Sequence, residues 1–539
     1  MQNIENTWYQ DATIYSLDLK VFQDTDENGI GDFQGLTERL DYFSRIGIDC
    51  IWLLPFYPSP GRDNGYDVMD YYGVDSQLGT LGDFVEFVRA ADARGIRVVI
   101  DLVVNHTSDQ HPWFQAARSD PDSKYRDFYL WADEEPDIHP DRGPIFPGEE
   151  DHVWSYDSEA DAYYYHRFYH FQPDLNVANP EVREEVKKIL GFWLEVGVAG
   201  FRIDAAGLLT QTKGLVDEPL DDPHGFLREM REFVSQRRSD AVLLAEADRP
   251  PAELGEYFGD SDEMHLLLNF QLNAHVILAL ARSESAPLAS VLEELPDPPE
   301  NAGWANFLRN LDELNIGALT EAEQADVYDA FAPDETMRIY DRGIRRRLAP
   351  ILDGDREHIK LAYSLLFSLP GTPIIVYGDE IGMGEDLNQP GRFAVRTPMQ
   401  WTDEPNAGFS TVDSDNLIRP IVSDDTYAPA EVNVADQRAD PDSLLNWISH
   451  LVRTRDEFSG PLRGDGTVLD VDHPAVFAHA SSLAGETIVT VHNLSAETAT
   501  TELPLNADPT PVFGDARFEP DADSVYVSLS PYGFCWFQP

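Results

Sequence analysis

Seven short runs of apolar and β-branched residues recur along this chain, and stretches with helical spacing separate them. A strand that is apolar along its whole length has both faces buried, which is typical of a parallel sheet covered by helices. One such helix is predicted at 83–94, with Gly95 as its stop signal, and 265–270 is a weaker eighth strand candidate. The pattern therefore predicts an α/β protein built as a (β/α)8 barrel. The seven runs lie at 12–17, 50–54, 97–104, 200–203, 241–245, 305–308 and 373–377.

Two segments depart from this alternation. Asp101 and Asp204 are 103 residues apart, whereas one strand–helix–strand unit needs roughly 30 residues. The excess is rich in Asp, Pro, Tyr and Trp, which predicts a small subdomain inserted after the third strand. Near the C-terminus, apolar and polar residues alternate within short segments, and Gly, Pro or Asp separates one segment from the next. This pattern predicts an antiparallel β domain. The predicted domains are the barrel (1–105 and 171–459), the insertion (106–170) and the C-terminal β domain (460–539).

The net charge excludes several functions. Lys and Arg number 39 against 97 Asp and Glu, a formal charge of −58. Such a surface repels phosphate backbones and anionic lipids, so we expect no nucleic-acid partner and no membrane partner. One interpretation is an ordinary acidic protein. The other is a protein of a salt-rich cytoplasm, where a Debye length of roughly 3 Å at 1 M salt screens this repulsion.

The cysteines and the N-terminus favour a cytoplasmic protein. Cys50 and Cys535 are the only two cysteines, too few for a disulfide framework, and Cys50 lies in an apolar run that predicts a buried free thiol. The first residues lack a basic segment followed by an apolar run, so no secretory signal is expected. No stretch of about 18 apolar residues predicts a membrane-spanning helix. The oligomeric state stays open.

Acidic residues follow three of the predicted strands. Asp204 follows the fourth, Glu246 the fifth and Asp312 the seventh. In a barrel the carboxyl ends of the strands form one active-site face, so these acids should converge. Arg202 is two residues before Asp204, on the same face of its strand, and would keep it ionised. Paired carboxylates suit retaining glycoside cleavage. The alternative is that these are ordinary acids of a very acidic chain.

An N-terminal loop places oxygen-bearing side chains at every second residue. Its spacing is similar to the first part of an EF-hand loop, but the twelfth position is Gly35 rather than glutamate. A hard-cation site for Ca²⁺ is therefore expected without an EF-hand, and a solvated acidic turn is the alternative. The expected ligands are Asp24, Asp26, Asn28, Ile30 and Asp32.

Short motifs accompany the strand candidates along the chain: DLVVNH (101–106), GFRIDA (200–205), LLAEA (243–247) and FLRNLDEL (307–314). They resemble the four signature regions of glycoside hydrolase family 13, the α-amylase superfamily. QPDLN (172–176) is similar to the additional signature of its oligo-1,6-glucosidase and trehalose synthase branch. DNGYD (63–67), VYGDEIGMG (376–384) and VRTPMQW (395–401) fit the same pattern. The resemblance covers nearly the whole chain and favours enzymes that interconvert maltose and trehalose.

The resemblance implies roles for individual residues. Asp204 matches the nucleophile, Glu246 the general acid/base, and Asp312 the carboxylate that stabilises the transition state. Arg396 matches an arginine that pairs near Asp63 and closes the pocket, which implies a small α-glucoside substrate. The N-terminal loop matches a family Ca²⁺ site, and no organic cofactor is implied. The substrate-binding residues implied are Asp63, Tyr66, His106, Phe146, Gln172, Arg202 and Arg396.

Two departures from the family pattern bear on activity. Leu311 stands where the family has a histidine that donates a hydrogen bond to the reacting sugar, and the loop 385–392 differs from that of trehalose synthases. Removing one such donor costs about 10²–10³ in rate. Three functions therefore stay open: maltose–trehalose isomerisation, α-glucosidase hydrolysis, and sugar binding with little or no turnover.

Overall fold

The computed structural model describes residues 7–136, 143–211, 213, 222–505, 508–521 and 524–539. Eight parallel strands close into a barrel, as predicted, and the weaker candidate at 265–270 forms the sixth of them. The barrel closes where β1 pairs with both β2 and β8, so that Ile14 lies opposite Cys50 and Ile374. The strands are β1 (Ile14–Leu17), β2 (Cys50–Leu53), β3 (Arg97–Leu102), β4 (Gly200–Ile203), β5 (Val242–Ala245), β6 (Leu266–Leu268), β7 (Gly303–Phe307) and β8 (Thr372–Val376).

Side chains of each strand alternate between two cores. Phe201 and Ile203 of β4 face the surrounding helices, whereas Val242 and Leu244 of β5 fill the barrel interior. Because the side-chain period of a strand is two, Arg202 lies on the interior face between Phe201 and Ile203. Cys50 is a fully buried free thiol, as predicted, and burial raises its pKa.

Helices cover the outside of the barrel. The predicted helix at 83–94 begins two residues earlier, because Thr80 and Asp83 form a capping box. Within the described residues, every helix falls short of what crossing a bilayer requires. The α-helices are Trp8–Asp11, Phe33–Glu38, Leu40–Ile46, Leu81–Asp92, Pro112–Ser119, Pro180–Val196, Ala206–Leu209, Gly225–Arg237, Pro251–Leu254, Phe270–Arg282, Ala286–Glu294, Glu321–Phe331, Leu348–Ile351, Arg356–Ser368, Val434–Ala439, Leu444–Glu457 and Ser459–Leu462.

A small antiparallel sheet follows β3. Its strands are Trp131–Ala132, Trp154–Asp157 and Ala162–Tyr165, with the last in the middle. Residues 137–142 of the predicted insertion lie outside the described residues. A further short sheet, Leu314–Asn315, Arg338–Ile339 and Gly343–Ile344, follows β7.

The C-terminal region forms two antiparallel sheets, as predicted for this part of the fold. The sequence pattern missed three of their strands, at Thr510–Gly514, Arg517–Pro520 and Phe534–Gln538. The first two contain proline, and Arg517–Pro520 also carries charged residues. The other strands are Asp465–Val468, Val476–Leu483, Glu486–Asn493, Ala499–Leu503 and Val525–Leu529. The exact domain boundaries stay predictions.

Candidate active site

One buried guanidinium organises the carboxyl end of the barrel. Arg202 projects inward from β4 and is 2% exposed. Its Nη1 donates to Asp204 Oδ1 at 2.7 Å and to Asp101 Oδ2 at 3.3 Å. Its Nη2 donates to Glu246 Oε2 at 2.5 Å. The predicted nucleophile and the predicted acid/base are therefore held on two nitrogens of the same guanidinium.

The Asp204 carboxyl lies in a strongly acidic surrounding. Burial raises its pKa well above the ordinary value and outweighs Arg202, so the predicted effect of Arg202 on the ionisation of Asp204 is not confirmed. Neighbouring carboxylates raise the pKa further, those of Glu246, Asp101 and Asp312. One arginine thus balances several carboxylates. A site of this kind stabilises positive charge that develops on a sugar ring, as in an oxocarbenium-like transition state.

The residue after Asp204 has a strained backbone. Ala205 has a φ of 47°, in the left-handed region that alanine rarely adopts. In this conformation its N–H donates to Glu246 Oε2 at 3.1 Å. Such strain clusters at functional sites, where surrounding contacts impose it. Here it helps to aim the end of β4 at the carboxyl group of the neighbouring strand.

Asp101 was not among the predicted site residues. It ends the inward face of β3, and its carboxylate accepts from Trp52 Nε1 at 2.7 Å and from the Tyr66 hydroxyl at 2.8 Å. Burial raises the pKa of Asp101 to about 6, although Arg202 and these two hydrogen-bond donors lower it. The sequence signal that could have identified Asp101 was a carboxylate within the otherwise apolar run of β3. Asp101 positions Tyr66 and Arg202 rather than lining the cavity.

Two arginines bind Asp312. Arg396 Nη2 donates to its Oδ1 at 2.6 Å, and Arg392 Nη1 lies 2.9 Å from the same oxygen. Burial raises the pKa of Asp312, but Arg392, Arg396 and Arg202 outweigh it and hold the pKa below its ordinary value. Asp312 is therefore ionised, as its predicted role in the transition state requires.

Arg396 lies near Asp63, because its charge and that of Arg392 oppose the rise in the pKa of Asp63 that burial causes. The Arg396 guanidinium itself donates to Asp312 and, at 2.7 Å through Nε, to the Leu311 carbonyl. Asp63 Oδ2 accepts from Gln172 Nε2 at 2.9 Å. The reason is tertiary: residues 395–401 pass close to the loop after β7, so the nearer carboxylate is that of Asp312.

Arg392 is a second site residue that the sequence pattern missed. It lies at the end of the loop 385–392, which was noted only for its departure from the family. Its Nε donates to Glu313 Oε2 at 2.8 Å, and its guanidinium lies 4.8 Å from the Phe146 ring centroid. Arg345 Nη2 donates to the Leu387 carbonyl at 2.7 Å and so fixes the loop.

The remaining residues predicted to contact the sugar are Asp63, Tyr66, His106 and Gln172. His106 Nε2 lies 3.2 Å from the Tyr66 carbonyl, and burial lowers the pKa of His106 to about 4. The imidazole is therefore neutral near neutral pH and can donate through one nitrogen only. Tyr66, His106 and Asp63 line the cavity, whereas Gln172 is buried behind Asp63.

These groups surround a cavity of about 330 Å³, near the lower end for small-molecule sites. Asp204, Glu246 and Asp312 all line it. Phe146 forms part of its outer wall and packs against Tyr340 with ring centroids 4.9 Å apart. Arg342 Nη2 donates to the Ile145 carbonyl at 3.0 Å. The cavity is thus narrowed between the insertion and the loop after β7.

Leu311 sits between two cavity-lining residues, Asn310 and Asp312, but belongs to the hydrophobic core. It is 4% exposed. Its carbonyl, rather than its side chain, contributes to the site by accepting from Arg396.

A buried ammonium joins the end of β3 to the segment that follows the insertion. Lys213 Nζ donates to Asn105 Oδ1 at 2.7 Å and to the Leu175 carbonyl at 3.3 Å, and lies 3.0 Å from Asp174 Oδ2. Burial lowers the pKa of Lys213, while Asp174 raises it. This cluster orders the backbone next to His106.

The predicted cation loop brings three carboxylates together. Asp24, Asp26 and Asp32 have oxygens within 4.8 Å of one another. Slight burial and the charges of Asp32 and Asp24 raise the pKa of Asp26. Asn28 Oδ1 accepts from the Ile30 amide at 2.7 Å and so shapes the loop. Within the described residues the three carboxylates have no basic partner within 4.0 Å. Hard oxygen donors with uncompensated charge fit Ca²⁺.

Known proteins resemble this chain along nearly its whole length. The family model described as "Alpha amylase, catalytic domain" matches residues 16–460, and "Maltogenic Amylase, C-terminal domain" matches residues 467–536. A trehalose synthase of Pimelobacter sp. (strain R48) is 40% identical, covering 99% of this chain and 96% of its own. An oligo-1,6-glucosidase of Heyndrickxia coagulans is 31% identical, covering 92% and 94%. The crystal structure of a mutant trehalulose synthase with Tris has a TM-score of 0.78 at 28% identity, covering 99% of this chain and 100% of that chain.

Proposed function

Because the chain belongs to the α-amylase family and is a trehalose synthase-like retaining enzyme, we propose that it interconverts maltose and trehalose by double displacement. One observation carries the proposal. A single buried arginine holds Asp204 and Glu246 at the wall of a small cavity, and Asp312 completes the carboxylate set. A cavity of about 330 Å³ suits a small saccharide rather than the interior of a long polymer.

In the first half of the reaction, Asp204 attacks the anomeric carbon of the non-reducing glucose. Glu246 donates its proton to the glycosidic oxygen, so the bond to the second glucose breaks and a β-glucosyl ester of Asp204 forms. Asp312, ionised by Arg392 and Arg396, stabilises the positive charge on the sugar ring.

In the second half, the released glucose turns within the cavity and presents its anomeric hydroxyl. Glu246, now a carboxylate, takes the proton from that hydroxyl, and the oxygen attacks the ester to form trehalose. The outer wall made by Phe146 and Arg342, with Tyr340 packed against Phe146, keeps the released glucose close, which favours its return over attack by water.

Hydrolysis is the second candidate function. The observation that favours it is the altered loop 385–392, whose Arg392 occupies the cavity wall. If this wall holds the leaving glucose less firmly, water attacks the ester instead. The likeness to an oligo-1,6-glucosidase supports this alternative.

Proton NMR analysis of the products from maltose tests the proposal, in molar KCl with Ca²⁺ present. Trehalose as the main product supports isomerisation. Glucose without trehalose would favour the α-glucosidase. Absence of turnover on maltose, sucrose, isomaltose and trehalose would contradict both and favour a sugar-binding protein. Asp204→Asn is the control, because it removes the nucleophile while keeping the shape of the cavity.

The N-terminal loop and the surface charge add two proposals about the protein's environment. Asp24, Asp26 and Asp32, with Asn28 and the Ile30 carbonyl, would hold a structural Ca²⁺ that joins this loop to the barrel. The net charge of −58 supports a salt-rich cytoplasm as the working environment.

A further inference from the structure

Outside the active site, residues of three helices line an open cavity of about 490 Å³. The helices are Leu40–Ile46, Val434–Ala439 and Leu444–Glu457. Its volume lies within the range of small-molecule sites. The cavity lies on the outer helical layer, away from the carboxylates at the barrel's end.

The charge of this cavity is opposite to that of the protein. Three of its nine lining residues are arginines, Arg45, Arg438 and Arg453, and none is acidic. In the whole chain Asp and Glu outnumber Lys and Arg 97 to 39, so a patch of average composition would carry more acidic than basic side chains. Within the described residues, none of the three arginines has a carboxylate oxygen within 4.0 Å. Within the described residues these guanidinium groups therefore form no ion pair.

The arrangement of these arginines is held by the fold. Arg453 Nη2 donates to the Arg45 carbonyl at 2.7 Å, which ties two of the helices together. All three arginine side chains are exposed, so a ligand can reach them.

The floor of the cavity is apolar and closed. Ile46 and Leu445 are 1% and 4% exposed. Tyr42 is also buried, and its hydroxyl donates to Glu380 Oε1 at 2.5 Å. The cavity thus combines a fixed apolar floor with three cationic side chains at its rim. This combination suits a ligand with a compact carbon skeleton and a concentrated negative charge.

We propose that this cavity binds a small phosphorylated metabolite, whose phosphate dianion contacts Arg45, Arg438 and Arg453. Guanidinium groups match the oxygens of a phosphate in bidentate geometry, better than a point-like ammonium does. A long polyanion is disfavoured, because a chain of net charge −58 repels it over its whole length. A small dianion experiences mainly the local positive field.

The binding test titrates inorganic phosphate and glucose 6-phosphate separately into the full-length protein, by calorimetry at constant ionic strength. At least one probe should bind saturably with one site per chain. Arg438→Gln should weaken this binding about tenfold or more, because it removes a charge-assisted pair. Binding of both probes would indicate that phosphate suffices, and binding of glucose 6-phosphate alone would indicate that the floor contributes.

Arg89→Gln is the matched control, since Arg89 is an exposed arginine on the helix Leu81–Asp92, outside the cavity. It should leave the affinity unchanged. Arg45→Gln provides a second cavity variant should Arg438→Gln fail to fold. The proposal is overturned if neither probe binds saturably. It is equally overturned if folded cavity variants bind as tightly as Arg89→Gln, since binding would then occur elsewhere, such as at the active-site arginines.

Discussion

Replacing Leu311 with histidine should raise catalysis and lower stability at the same time. Leu311 is 4% exposed in the main core, and burying a leucine side chain contributes about 1.5–3 kcal/mol. Leu311→His should therefore lower the free energy of unfolding by about 2 kcal/mol. The Leu311 side chain packs in the core, but Asn310 and Asp312 on either side line the cavity, so an imidazole that turns out of the core would reach the reacting sugar. One added transition-state donor is worth about 10²–10³ in rate.

The assay measures kcat/KM on maltose, or on the substrate that product analysis identifies, together with urea unfolding of the same samples. Leu311→Met is the matched control, because it conserves volume and adds no donor. It should leave kcat/KM near that of the parent. A folded Leu311→His variant whose kcat/KM does not rise would refute the reasoning. Another donor, with Arg392 as the first candidate, would then already serve the sugar hydroxyls.

Four further predictions concern the charged groups. Asp204→Asn should abolish turnover but raise the free energy of unfolding by about 1 kcal/mol. Because the folded state raises the pKa of Asp204, ionisation of this carboxyl above its unfolded pKa destabilises the fold. Urea unfolding should therefore show that Asp204→Asn gains more stability over the parent near pH 8 than near pH 5. Arg392→Gln should raise the pKa of Asp312 and move the acid limb of the kcat/KM profile to higher pH, whereas an unmoved limb would show that Arg396 suffices. Removing divalent cations with EGTA should lower Tm in the parent but not in Asp26→Asn, and equal shifts would argue against a site in that loop. Transfer from molar KCl to dilute buffer should unfold or inactivate the protein, and full stability there would contradict the salt-rich environment.

Local sequence predicted the barrel well, because a fully buried strand must be apolar along its length. The weak run at 265–270 still formed β6, since the seven stronger strands leave one gap in the barrel for it to close. The C-terminal strands were harder. Thr510–Gly514 and Arg517–Pro520 carry proline or charge at exposed positions, so alternation alone did not reveal them.

The residues of the candidate site also divide into those that local sequence predicts and those that it does not. Asp204, Glu246 and Asp312 could be predicted because the first two directly follow strands and Asp312 lies in the loop after β7, and strand ends meet at one face of a barrel. The partner of Arg396 could not be predicted, since it depends on how residues 395–401 pass the loop after β7. Nor could the contribution of Arg392, which comes from a loop without a pattern of its own.

The barrel, the carboxylates at its strand ends and the acidic composition could be predicted from the amino-acid sequence, because each follows from residue type and local spacing. The pairing of the charges depends on how distant segments pack. The tertiary structure placed one guanidinium, Arg202, against three carboxylates, and it gathered three arginines around a cavity on the outer helices, where they have no ion pair within the described residues. The physical reason is range: hydrophobic periodicity acts over a few neighbouring residues, whereas an ion pair depends on the distance between segments that can be hundreds of residues apart.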